Sequence, residues 1–383
     1  PFHEELLLFS EKTQFALSGG DILSPNTAVV KNIASYQIRQ RIRPVTGAKT
    51  LFFCSDEEAG AVGTRMKEMY VDVDSEVHEA SDITAHVPKF VPVSIRKIVS
   101  NAGKSLVFAL PQAGNEIYVY KYFWNGKEKL QSAWFRYSLP PGCTCASIET
   151  HENELYMFNV YDDKLYLETM SLDYDKPFEA EEYPVCLDRL LGYVNITYNA
   201  TTGKSSFALP YSVNVNQYKI VETDTGLTVP FLEDESTATT LIAEGDYRGR
   251  HLSFGYPYTA TYQFSDQYPK RLVDDNNPLT TGRLQYRCWK ISYGLSGEFR
   301  IDVLPKMDKD TIETTNPPIS AARVGTTRLG IGSAVLKDGL VRIGVYANAR
   351  DVKIRVTTTS HLPITLVSAA WEGVFQTNAG RLT

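Results

Sequence analysis

Residues 95–139 constrain the fold more than any other stretch. They read IRKIV-SNAGK-SLVFALP-QAGN-EIYVYKYFW-NGKEK-LQSAWFRYSL, four apolar-rich runs separated by three turn clusters. The clusters, 100–104, 112–115 and 125–129, contain Gly and Asn, residues that tolerate positive φ and build tight turns. The runs are rich in Val, Ile, Tyr, Phe and Trp, and Ile117, Val119 and Tyr122 suit a pleated, half-buried surface. Asn125-Gly126 at the end of such a run is a hairpin signal. The stretch is expected to form a four-stranded antiparallel meander, the size of one β-propeller blade.

The rest of the first half aligns to this unit. Apolar triplets expected in inner strands occur at Leu7-Leu8-Phe9, Leu51-Phe52-Phe53, Leu106-Val107-Phe108 and Leu155-Tyr156-Met157, and their starts lie 44, 55 and 49 positions apart. That is an irregular repeat near the length of a propeller blade, roughly 40–50 residues. A β-sandwich with hairpins at similar spacing fits the same pattern less well. The chain opens at Pro1 and runs straight into a strand pattern. The expected organisation is all-β. Residues 1–190 would be blades of a propeller completed by an N-terminal half outside this sequence, and residues 191–383 a sandwich-like domain.

Local features refine that layout. Residues 5–18 read as two strands around Glu11-Lys12, and 145–172 as three short strands with Asp162-Asp163 as a hairpin turn. Residues 77–86 are the best helix candidate of the first half, ended by Pro88. Residues 174–183, acidic and Pro-containing, read as a boundary or long loop. In the second half, strands flank Thr201-Thr202-Gly203, and 282–302 reads as a hairpin around 294–297. Trp134 and Trp371 are expected in the core.

Charge and chemistry exclude several classes. The net charge of −6 and pI near 5.7 argue against wrapping the outside of nucleic acid. They leave room for a channel through which DNA slides without sticking. The five Cys are unpatterned and expected to be free thiols. No apolar run reaches the ~18 residues of a membrane helix. The six His are scattered without metal spacing, and no nucleophile elbow is present. Gly330-Ile331-Gly332 lacks the full dinucleotide pattern, and 274–277 is favoured as a plain turn over a Ca²⁺ loop. Acidic runs in polar loops read as solvated faces rather than catalytic pairs. No cofactor, metal or catalytic residue is expected.

Seven short strings, in order and approximate register, carry a family resemblance. They are Pro1-Phe2 with Glu4-Glu5-Leu6-Leu7; Gln14-Phe15; Arg43-Pro44; Asp82-Ile83-Thr84 with His86-Val87-Pro88; Gln131-Ser132 with Trp134; Gly282-Arg283-Leu284-Gln285; and Trp371-Glu372-Gly373. The chain resembles the C-terminal half of the tail tubular protein B family, the tail nozzles of short-tailed Autographiviridae-type phages. The resemblance implies a structural virion-tail protein, made in the host cytoplasm, that forms a homo-hexameric ring below the adaptor ring (tail tubular protein A). Tail fibres would attach where nozzle and adaptor meet. The ring would retain genomic DNA and conduct it into the host at its outer surface, without sequence-specific binding. In such a ring, acidic loops keep a polyanion mobile. The lumen-lining candidates are then Asp56, Glu57 and Glu58; Asp72 and Asp74; Glu179, Glu181 and Glu182; and Glu233, Asp234 and Glu235. A propeller that binds or degrades carbohydrate is the alternative, with no catalytic pair to support the second half of it.

Overall fold

The computed structural model describes residues 6–18, 24, 26–39, 41–55, 63–71, 78–125, 129–173, 183–269, 282–306, 314–315, 319 and 332–376. Over these residues the chain is all-β, built from small antiparallel sheets with two single-turn 3-10 helices at Val215–Gln217 and Glu233–Glu235. It divides into two compact units, Pro1–Asp175 and Lys176–Thr383.

The first unit is a succession of four meanders. The first sheet holds β1 (Leu6–Phe9), β2 (Gln14–Ser18) and β3 (Val29–Ala34). The second holds β4 (Val45–Thr46), β5 (Leu51–Ser55), β6 (Arg65–Val71) and β7 (His78–Asp82). The third holds β8 (Ile95–Asn101), β9 (Leu106–Pro111), β10 (Glu116–Trp124) and β11 (Lys129–Ser138), in spatial order β11-β10-β9-β8. The fourth holds β12 (Thr144–His151), β13 (Glu154–Tyr161) and β14 (Lys164–Ser171). The meander read from residues 95–139 is thus present. The β13–β14 turn places both Asp162 and Asp163 at positive φ, 48° and 60°, as a two-residue primed turn requires.

Consecutive sheets of this unit stack face to face through the two-residue alternation of their strands. On β10, Tyr118, Tyr120 and Tyr122 point into a cluster with Phe52, Cys54 and Met66 of the second sheet. Ile117 and Val119, on the opposite face, join Ile148, Leu155 and Met157 of the fourth. Leu7 and Phe9 pack with Leu51, Phe53 and Met69 to join the first sheet to the second. β10 is therefore buried on both faces, where the sequence alone led us to expect one. Polar bonds tie the leading strands β4, β8 and β12 along one seam. Ser100 Oγ donates to Thr46 O (2.8 Å), Thr150 Oγ1 to Ser100 O (2.7 Å) and Asn101 Nδ2 to Glu152 O (2.6 Å). Stacked meanders with a shared seam of leading strands are the arrangement of propeller blades.

Two expectations for this unit need correction. The helix read at 77–86 is strand β7 over His78–Asp82, paired with β6 from Lys67↔Asp82 to Val71↔His78; Val77 lies outside the described residues. The strand then ends because Asp82 Oδ1 accepts from the Thr84 amide (2.8 Å) and hydroxyl (2.6 Å), a local turn bond that competes with helix. A free edge on β6 offers this segment a full ladder, while Ser81, Asp82 and Thr84 are weak helix formers. The triplet Leu7-Leu8-Phe9 forms an edge strand among the described residues, whereas the other three triplets sit inside their sheets.

The second unit comprises β15 (Asp188–Leu191), β16 (Asn195–Asn199), β17 (Lys204–Ala208), β18 (Lys219–Glu222), β19 (Leu227–Val229), β20 (Thr240–Glu244) and β21 (Leu252–Tyr256). There follow β22 (Ala260–Gln263), β23 (Arg283–Ser296), β24 (Arg300–Pro305), β25 (Thr314–Thr315), β26 (Lys337–Gly344), β27 (Val352–Thr358) and β28 (Thr365–Gln376). Sheets β15-β21-β18-β19 and β16-β17-β20 share a core of Phe207, Ile220, Leu241 and Phe254. Sheets β22-β27-β24-β25 and β26-β23-β28 share another, with Trp289, Ile291, Phe299, Ile301 and Val356. Each pair is sandwich-like, two sheets facing across interdigitated side chains. The hairpin read around 294–297 is instead a corner, since β23 and β24 lie in different sheets of the second pair. Gly297 permits the crossing. A Cβ there would stand 2.6 Å from Leu362 Cβ, and its amide donates to Pro363 O (2.9 Å).

Candidate functional site

Of the acidic lumen candidates, Asp56, Glu57, Glu58, Asp72, Asp74, Glu179, Glu181 and Glu182 lie outside the described residues. Glu233, Asp234 and Glu235 form the exposed 3-10 turn ahead of β20. Glu235 accepts from Lys204 Nζ of β17 at 2.5 Å, which leaves the turn net acidic. Beside this pair, Thr197, Asn199, Thr202 and Ser206 line an open groove of about 590 Å³. Its walls mix these polar groups with Tyr198, Ala200 and Ile242, and among the described residues no group of three or more His, Cys, Asp or Glu is placed to hold a metal ion.

A charged joint that the sequence does not announce lies between the second and third sheets. Glu68 of β6 is fully buried. It accepts from Lys129 Nζ at the start of β11 and from Trp124 Nε1 (3.4 Å). Lys129 also stands over the rings of Tyr120 (5.8 Å) and Trp124 (5.6 Å). Burial pulls the Lys129 pKa down, but the hydrogen bond and charge of Glu68 outweigh it and the net shift is upward. An isolated buried carboxylate would be very costly, so Glu68 and Lys129 hold the two sheets in one register.

Trp134 of β11 sits at the rim of the same joint, half-buried. Its Nε1 donates to Ile83 O (2.8 Å) just beyond β7, and its ring tilts against Tyr120 at 5.1 Å. Trp134 and Ile83 come from two of the strings that carry the family resemblance, so those strings meet across a sheet–sheet joint. Gln14, from a third string, is buried and makes a two-way bond with the Tyr36 backbone: Nε2 donates to Tyr36 O (2.8 Å) and Oε1 accepts from its amide (2.9 Å).

The last two strings also meet. β23 and β28 pair so that Gln285 faces Val374, Tyr286 faces Gly373 and Trp289 faces Trp371. Trp371 is half-buried against the core and packs edge-on to Tyr286 at 5.6 Å. A Cβ on Gly373 would meet Gln285 O at 2.5 Å, so only glycine fits that approach. On the outward face Glu372 accepts from Lys290 and lies 3.6 Å from Arg342, whose Nε donates to the buried Cys288 sulfur (3.1 Å). The Lys290 bond draws the Glu372 carboxyl below its usual range.

Two of the histidines are tied into structure. His251 Nδ1 contacts Asp224 (3.0 Å), and His361 Nε2 bonds Gly226 O (2.9 Å) with its pKa lowered by burial. None of the five cysteines forms a disulfide, and burial pushes the Cys145 thiol up to about 11, which removes it as a nucleophile near neutrality. No helix of the described residues is long and apolar enough to cross a membrane. The chemistry on display is that of joints between sheets.

The bacteriophage nozzle protein family matches residues 1–382. The tail tubular protein gp12 of Escherichia phage T7 is 24% identical over 390 residues, covering 97% of this chain and 48% of that protein. The chain thus spans about half the length of that relative. With the match running end to end over an all-β scaffold, the chain belongs to the bacteriophage nozzle protein family.

Proposed function

We propose that this chain is a structural component of the phage tail, and that a ring of its copies forms the distal channel. That channel would retain the genome and then conduct it during ejection. The observation that carries this is the family match across residues 1–382. The proposed assembly is a homo-hexamer, with heterologous contacts closing about an axis. Its partners would be the adaptor ring, the tail fibres and, at infection, the host outer surface. DNA would pass without sequence-specific contact, and the acidic balance of −6 suits such passage.

No cofactor and no catalysis are part of this reading. The buried charges of the described residues pair across strands and sheets, as Glu68 does with Lys129, rather than converging in a cleft. Mass in solution and particle images of the purified protein test the proposal. Six-fold rings with a central opening are expected. A stable monomer, or turnover of peptidoglycan or capsular polysaccharide abolished by one carboxylate substitution, would overturn it.

A further inference from the structure

The outer face of sheet β26-β23-β28, the side away from the Trp289 core, gathers cations in a chain that is net acidic. Leu284, Tyr286, Trp289 and Ile291 of β23 belong to the core. Alternation therefore sends Arg283, Arg287 and Lys290 to the other side, and a bulge between Tyr286 and Cys288 keeps the phase. Arg342 of β26 joins them, held by the bond from its Nε to the Cys288 sulfur (3.1 Å). Glu372 is shared between Lys290 and Arg342. Asp338 lies at the far end of the sheet, where it accepts from the Leu295 amide (2.5 Å). Arg283 and Arg287 are exposed, and among the described residues their side chains have neither an ion-pair nor a hydrogen-bond partner. From Arg283 to Lys290 the stripe runs roughly 20 Å, at ~3.3 Å per residue. Beside it Tyr346, 75% exposed, is held at φ 46°, an uncommon backbone for a bulky residue that its surroundings must enforce. Its ring lies over Gly344, where an added Cβ would meet it at 2.7 Å.

We propose that this face binds the phosphate backbone of DNA, independently of sequence, as a holding contact on the genome. The cations are strung along one strand instead of converging on a point, which fits a linear polyanion better than a single phosphate group. Duplex DNA carries one charge per ~1.7 Å of axis, so a stripe of roughly 20 Å runs past about a dozen phosphates. The forks of Arg283 and Arg287 match phosphate oxygens, and the hydroxyl of Tyr346 adds a donor of the kind that contacts DNA backbones. Acidic surfaces let a polyanion pass but cannot hold it. Retention needs a cationic contact, and this face supplies one. The choice of DNA as the polyanion rests on the conduit reading above; the binding itself does not require a ring.

The test is fluorescence anisotropy of a short labelled duplex of arbitrary sequence with the purified protein, between about 50 and 200 mM salt. Arg283→Gln with Arg287→Gln is expected to weaken binding about ten-fold at low salt and to lower the salt slope by about 2, since each phosphate contact contributes about 0.9. Lys31→Gln with Lys164→Gln, exposed cations of the first unit, changes the net charge equally and should stay within about two-fold of the parent. Arg283→Lys with Arg287→Lys keeps the charge and should bind within about three-fold of the parent; a loss equal to that of the matching Gln pair overturns the proposal. So does equal weakening in the two Gln pairs, which would mean bulk charge, and so does a parent that binds no DNA at low salt. Binding of vesicles with anionic phosphate headgroups in place of DNA, lost in Arg283→Gln with Arg287→Gln, assigns the face to a membrane surface and also overturns it. Rings that assemble normally without binding DNA refute this inference alone, whereas DNA binding by a chain that stays monomeric upholds it and refutes the conduit.

Discussion

The Glu68–Lys129 joint gives the sharpest energetic prediction. Glu68 is fully buried and the Lys129 side chain is 22% exposed, so the pair is largely shielded from solvent. Glu68→Met removes the acceptor and leaves the Lys129 ammonium beside Trp124 and Tyr120 without its counter-charge. Lys129→Met leaves Glu68 as an uncompensated buried carboxylate. Losing one partner of a buried pair costs about 3–5 kcal/mol. The Lys129 change belongs near the top of that range, because its remaining partner is the more buried. The Glu68 change belongs near the bottom, because Lys129 can swing toward water. Replacing both with Met removes the desolvation cost along with the attraction, and such swaps are often neutral or stabilising by about 1–4 kcal/mol. Two cation–π contacts are lost as well, each worth about 0.5–1 kcal/mol at a partly exposed site. The double variant is therefore expected within about 1 kcal/mol of the parent, and the coupling energy is about 3 kcal/mol or more. Urea unfolding followed by Trp fluorescence measures all four corners of the cycle. A coupling below about 0.5 kcal/mol, the level of an exposed ion pair, would refute the claim that this joint is a solvent-shielded charge pair.

Three further outcomes are expected. Trp134→Phe keeps most of the apolar contact but loses the bond to Ile83 O, at a cost of about 1 kcal/mol. Trp134→Ala loses the half-buried ring too, at about 2–3 kcal/mol; an unchanged thermal midpoint for both removes Trp134 from the joint. Gly373→Ala forces a Cβ to 2.5 Å from Gln285 O and should cost about 1–3 kcal/mol. Gly294→Ala, whose nearest neighbour is 3.7 Å away, should change little, and equal melts for the two would contradict the close approach. Burial raises Tyr122 and Tyr286 from 10.0 to about 12, and Lys129 is also raised. Above pH 10 the folded state therefore holds more protons than the unfolded one, so stability falls as pH rises. The urea midpoint should be flat below pH 10 and drop between 10 and 12, less steeply in Tyr122→Phe; an unchanged slope in that variant would rule Tyr122 out.

The blade at 95–139 was legible because its turns carry the residues that turns need and its runs carry β-formers. That β10 is covered on both faces was legible only in part: Tyr118, Tyr120 and Tyr122 alternate with Ile117 and Val119, and a polar head on an aromatic ring does not say which face meets solvent. The turn at 294–297 looked local. What decides its path is the approach of Gly297 to Leu362, 65 positions away, which makes it a corner between sheets. Residues 77–86 carry no strong period, and pairing with the edge of β6 settles His78–Asp82 as strand. Glu68, in RMKEMYV, reads as an outward residue of a strand; its partner Lys129 is 61 positions further on, and no local rule connects them. The acidic candidates rested on charge alone. Composition locates such loops but not the side of a ring they face, and of the eleven only Glu233, Asp234 and Glu235 fall among the described residues.

The central claim, that this chain builds the tail conduit, is tested most directly by a density map of the intact virion tail. Six copies of the stacked meanders and paired sheets are expected around the axis at the distal end of the tail, with the genome's path running through the ring. A map that places this chain outside the axis, as a fibre or spike with no lumen, would contradict the account.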